Sequence, residues 1–116
     1  MNLKELKKKF DEKVADRVSI CIKNIDERMI NNYREIESTR QFIIKEDTMN
    51  SGYNLSDNNR EDILNSLQKY YAENWEIEFI KNKTISFTLK TEPLKEPAIM
   101  NIVREKQENR FEKMDL

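Results

Sequence analysis

Residues 75–90 read WEIEFIKNKTISFTLK, two alternating runs about a short polar centre, and how they pair decides the fold. Trp75, Ile77 and Phe79 share one face of the first run, while Ile85, Phe87 and Leu89 share one face of the second. A two-residue turn at Asn82 and Lys83 would pair Ile80 with Ile85 and Glu78 with Phe87, setting the second apolar face against glutamates. An odd loop restores the match. A three-residue loop ending at Asn82 in the left-handed region predicts a bulge-type hairpin, with Ile77 opposite Ile85 and Trp75 opposite Phe87. The other face, Glu76, Glu78, Ser86, Thr88 and Lys90, then meets water.

Upstream of the hairpin, Asn58 with Glu61 three residues later has the form of a capping box. Ile63, Leu64, Leu67, Tyr70 and Tyr71 follow at helical spacing, to an end near Asn74 read as a left-handed cap. The stretch TMNSGYNLSDNN before it holds the only glycine, Gly52, and predicts a loop. Phe42, Ile43 and Ile44 in succession predict a short strand over residues 40–46 covered on both sides, with a helix continuing to about Thr48 as the alternative.

From Met1 to about Glu37 there is no helix breaker. Leu3, Leu6, Phe10, Val14, Val18, Cys21, Ile25, Met29, Tyr33 and Ile36 recur in steps of three and four, one stripe on one helix. At about 1.5 Å per residue it would be roughly 50 Å long, more than a small core needs. Its first two turns are therefore expected to project or to pack on another chain. Beyond the hairpin both prolines appear, and Pro97 suits the first position of a last amphipathic helix carrying Ile99, Ile102, Val103, Phe111 and Met114. The expected fold is α+β: a long N-terminal helix, a short strand, a helix, an antiparallel hairpin completing a three-stranded sheet packed by helices, and a C-terminal amphipathic helix. Residues 1–92 form the domain and 93–116 a helical tail.

Composition narrows the chemistry. The 116 residues are 37% charged, against about 25% in an average domain, so long solvated helices around one modest core are expected. With 21 basic and 22 acidic side chains the net charge is −1, which supplies no global field for nucleic acid or anionic membrane. Histidine is absent, which excludes Ser-His and Cys-His nucleophiles and histidine-ligated metals within this chain. Cys21 is the only cysteine, so an intramolecular disulfide and paired-cysteine zinc sites are excluded too, and a reducing compartment fits. No run approaches 18 apolar residues, and MNLKELKKKF carries charges where a signal peptide would be apolar. Neither a membrane partner nor export by that route is expected, and no cofactor.

Several groups carry sharper alternatives. Glu76 and Glu78, two apart on one strand face and roughly 6 to 7 Å from each other, have a spacing usable for acid–base work, but a half-buried sheet shows such residues to water in any case. DNNRED begins like a calcium loop, yet Asp62 stands where that loop needs glycine. Helix capping explains it better. Asn54-Leu55-Ser56 and Asn82-Lys83-Thr84 match the glycosylation acceptor pattern by chance. Lys4, Lys7, Lys8, Lys9, Lys13 and Arg17 make a basic helical face that could lie on phosphates, interrupted by Glu5, Asp11, Glu12 and Asp16. Tyr33, Tyr70, Tyr71, Trp75, Phe79 and Phe87 could stack bases, but at helix and sheet spacing they are read as core.

The order helix, strand, helix, strand, strand, with Ile63, Leu67, Tyr71, Ile77, Phe79 and the triplet Ile85-Ser86-Phe87, resembles the small αβαββ proteins encoded by tailed bacteriophages. The likeness covers about residues 20–90. Where those proteins usually carry Gly-Tyr before the hairpin, this chain has Asn74-Trp75. The resemblance implies an accessory or virion protein without catalytic residues, found in the cytoplasm of a bacterial host or in the virion. Together these readings predict a noncatalytic partner for another protein chain, its own copy or a different one, through Leu3, Leu6 and Phe10 and through Ile99, Ile102, Val103 and Phe111. A nucleic-acid module on the basic helical face is the alternative.

Overall fold

The structure, a computed structural model, describes residues 1–90. The predicted tail, including Pro97, Ile99, Ile102, Val103 and Phe111, lies outside the described residues. Helix α1 spans Leu3–Asn31 and α2 spans Tyr33–Thr39, so the single helix expected to about Glu37 is interrupted at Asn32. The cause is local. Asn32 sits at φ −111° and ψ 22°, and its side-chain amide donates to the Arg28 carbonyl at 2.7 Å, competing with the helical ladder. Helix α2 then stops at Arg40, whose left-handed φ of 64° turns the chain into β1 (Gln41–Lys45). A single helical turn, α3 (Glu46–Met49), occupies ground expected to be strand end and loop. Helix α4 (Arg60–Tyr71), β2 (Trp75–Ile80) and β3 (Thr84–Leu89) complete the order.

Among the described residues the sheet is antiparallel in the order β1-β3-β2, so β3 is the central strand. The loop of β2–β3 has three residues, as its faces require, but the register is shifted by two from the expected one. Trp75 pairs with Leu89, Ile77 with Phe87, and Phe79 with Ile85. Asn82 and Lys83 both adopt positive φ, 63° and 54°, which centres the turn on Asn82 and lets Ile80 meet Thr84. All six residues of each strand are then used; the expected register would have left Leu89 beyond the start of β2. Phe42 and Ile44 oppose Phe87 and Ile85 across the other ladder. Among the described residues strand β1 is covered on one side rather than both, because the helices and the inward faces of the strands share one core while Ile43, on the opposite face, is 54% exposed. Ser86, expected to meet water, is buried in the central strand, where Gln41 reaches its hydroxyl at 3.3 Å.

Phe87 is the hub of that core. Its ring lies 5.7 Å from Phe42, 5.3 Å from Tyr71 and 6.0 Å from Trp75, the last two edge-on, an arrangement that adds to simple area burial. Around it close Cys21 and Ile25 of α1, Met49 of α3, Leu55 of the loop, and Ile63, Leu64 and Leu67 of α4. Tyr33 and Tyr70, read as core, are exposed instead, and Phe79 at the sheet edge is 40% exposed.

Polar ties fix the helices over this core. The Glu46 carboxylate, buried at the start of α3, accepts from Arg60 Nε at 2.9 Å and Nη2 at 2.6 Å, a two-pronged pair that joins α3 to α4. The Glu46 amide also donates to the Lys83 carbonyl in the hairpin loop at 2.8 Å. Tyr71 donates to Asp26 Oδ1 at 2.8 Å, locking the end of α4 to α1. The capping box expected at Asn58 does not form. Asn59 holds the cap position without a side-chain hydrogen bond, and the helix ends at Tyr71 with Ala72 right-handed rather than with a left-handed Asn74. Glu61 and Asp62 do occupy the first turn, where the helix dipole favours them.

Candidate interaction surface

The stripe of α1 is continuous, yet only part of it is used. At about 100° per residue, Leu3, Leu6, Phe10, Val14, Cys21 and Ile25 fall within a sector of roughly 100°. Along that sector exposure falls from 81% at Leu3 and 52% at Leu6, through half-buried Phe10, to 8% at Val14 and none at Cys21 and Ile25. Among the described residues the packed body ends beneath Phe10. The turns beyond it are nonetheless finished helix, because Asn2 and Glu5 form a reciprocal capping box. The Glu5 amide donates to Asn2 Oδ1 at 2.8 Å and the Asn2 amide donates to Glu5 Oε1 at 2.9 Å. Lys7 adds an ion pair to Asp11 at 2.9 Å one turn on. The Asn-x-x-Glu spelling of the box stands in the sequence at residues 2–5 and is the signal from which these turns could have been found.

The predicted basic face does not form as one surface. Lys4, Lys7, Lys8, Lys9 and Lys13 are exposed but spread round the helix, since Lys7, Lys8 and Lys9 follow one another and each step of one residue turns through about 100°. Lys7 is engaged by Asp11, and Arg17 is half-buried and donates to Asn50 Oδ1 at 3.1 Å. Arg17 thereby serves the fold. Asn50, buried itself, passes the tie on to the carbonyls of Tyr53 and Asn54. Beside this seam lies an open cleft of about 460 Å³ between Lys13, Asp16, Arg17 and Ile20 of α1 and the 50–59 loop, lined by charges of both signs.

Burial pushes the Cys21 thiol up to about 11, with Arg17 opposing weakly, so it is neutral at physiological pH and behaves as a small apolar core residue. Glu76 and Glu78 are exposed on the outer face of β2 and make no ion pair or side-chain hydrogen bond among the described residues. Among the described residues no three acidic or cysteine side chains are grouped to hold a metal ion, and no helix is long and apolar enough to cross a membrane. Leu3, Leu6 and Phe10 are thus the predicted site residues that the structure brings together. No protein-family model matches the sequence, and no curated protein or solved structure matches it either.

Proposed function

We propose that this protein is a noncatalytic interaction protein that docks on another protein chain, its own copy or a different one, through the first two turns of α1. The observation that carries the reading is the exposure of Leu3 and Leu6 on a capped helix whose stripe is core further along. A partner covering both leucines would remove apolar area worth on the order of 1.5 kcal/mol or more for each. Ile99, Ile102, Val103 and Phe111 repeat the same chemistry in the tail and form the second contact element. The resemblance to small proteins of tailed bacteriophages makes the setting a bacterial host cytoplasm or a virion, and the role that of a virion component or accessory. Replacing both Leu3→Glu and Leu6→Glu leaves the fold unchanged by circular dichroism and abolishes the complex recovered by affinity capture, or the oligomer seen by light scattering. A protein that stays monomeric at high concentration, and whose captured partners are the same with and without the two glutamates, overturns the proposal.

A further inference from the structure

A second surface follows from the strand order. Because β3 is central, β2 has a partner on one side only among the described residues. Lys90 donates to the Asn74 carbonyl, and Leu89 donates away from β2 to the Arg40 carbonyl. Backbone groups in an antiparallel ladder alternate sides, so Glu76, Glu78 and Ile80 bond to β3, while the N–H and C=O groups of Trp75, Ile77 and Phe79 face outward. This edge lacks proline and bulge over six residues, the usual defences against strand addition. Its side chains are equally incomplete. Trp75 and Ile77 are only half-buried and Phe79 is 40% exposed, forming an apolar lip on the inner face. On the outer face stand Glu76 and Glu78, neither of them ion-paired among the described residues. A groove of about 430 Å³ follows the edge, lined by all but Phe79 of these residues together with Thr88 and Lys90, and closed on one side by Gln68 of α4 and by Ala72 just after it, whose carbonyl engages the Lys90 ammonium at 2.6 Å.

We propose that the outer edge of β2 is a strand-addition site for an extended basic segment of another protein, alternating lysine or arginine with apolar residues. The pairing period of two sets the partner's spelling. Residues opposite Glu76 and Glu78 carry positive charge on the outer face, and those between them are apolar and cover Ile77 and Phe79. A second copy of β2 is a poor occupant. The two face-matched antiparallel self-pairings of greatest overlap set Glu78 against Glu78, or Glu76 against Glu78, and like charges directly opposite repel. The segment that follows β3 is no better, because Pro93 and Pro97 remove backbone donors within residues 91–97. The site is independent of the α1 turns.

The test uses the full chain and a capped peptide of sequence Lys-Val-Lys-Ile-Lys-Val. Trp75, the only tryptophan, reports on the edge by fluorescence, and amide exchange followed by NMR reports on the backbone. The expected result is saturable binding below about 1 mM, with protection of the amides of Trp75, Ile77 and Phe79. Changing Glu76→Lys together with Glu78→Lys lowers the affinity about tenfold, and so does replacing the peptide lysines by glutamate. A peptide N-methylated at the residues whose amides face β2 does not bind. The proposal is overturned by equal binding of the acidic or N-methylated peptide, by no saturation, or by concentration-dependent protection of the same three amides without peptide, which would make the occupant a second copy.

Discussion

The two ends of α1 carry one apolar stripe and meet opposite fates. From Val14 to Met29 the stripe is sealed against α4, Met49 and the sheet, and it is clasped by three polar ties, Arg17 to Asn50, Asn24 to the Met49 carbonyl and Tyr71 to Asp26. From Leu3 to Phe10 the same spacing leads off the body, held as helix by the Asn2 and Glu5 cap. Periodicity therefore specifies which face of a helix is apolar, and what stands opposite decides whether that face is core or contact surface. Apolar side chains of similar size at the two ends therefore differ in what their removal costs.

The strongest way to break the contrast is to truncate one residue at each end. Ile25→Ala, at a fully buried position, costs about 3 kcal/mol of unfolding free energy by urea titration, whereas Leu6→Ala stays within about 0.5 kcal/mol. Equal effects would mean that the outer turns are packed in solution. An alkaline titration sharpens it next. Burial raises both Cys21, to about 11 from an ordinary value of 9.0, and Tyr71, which also donates to Asp26. Above pH 9 the unfolded chain releases the thiol proton and the folded chain keeps it, so the unfolded state binds fewer protons and stability falls as pH rises. The loss is on the order of 2 kcal/mol, complete near pH 11, and absent below pH 9. A Cys21→Ala variant shows a shallower decline over that window, and an unchanged slope would assign the effect elsewhere. Smallest is Asn2→Ala, which removes about 1 kcal/mol of local helix stability. Amide exchange in the first turn quickens while the urea midpoint holds, since a helix end opens without global unfolding.

Much of this fold was legible from residue spacing. The face parity of WEIEFIKNKTISFTLK required an odd loop, and the loop is odd. A slip of two residues, however, keeps every side chain on its face, so parity cannot distinguish Ile77 opposite Ile85 from Ile77 opposite Phe87; backbone torsion at Asn82 and Lys83 did. The interruption at Asn32 was hidden because asparagine costs a helix little until its amide finds a carbonyl. Glu46 and Arg60 read as unrelated charges in a strand end and a helix start, and only the tertiary fold makes them a pair. Of the candidate surfaces, Leu3 and Leu6 were visible as a stripe too long for its core. The edge of β2 was not, because the alternation of a strand says which face is apolar and nothing about which neighbour it takes.

The strand order also bears on the time course of synthesis. Strands β1 and β2 share no hydrogen-bonded ladder, and each pairs with β3, Gln41 standing opposite Thr88 far along the chain. A chain elongated as far as Ile80 therefore contains two strands and no sheet. Local pairing of β2 with β3 closes a three-residue loop at little entropic cost, whereas β1 must wait with Phe42 and Ile44 unsheltered until the centre strand leaves the ribosome. Among the described strands, the last one made is the one that turns two isolated segments into a sheet.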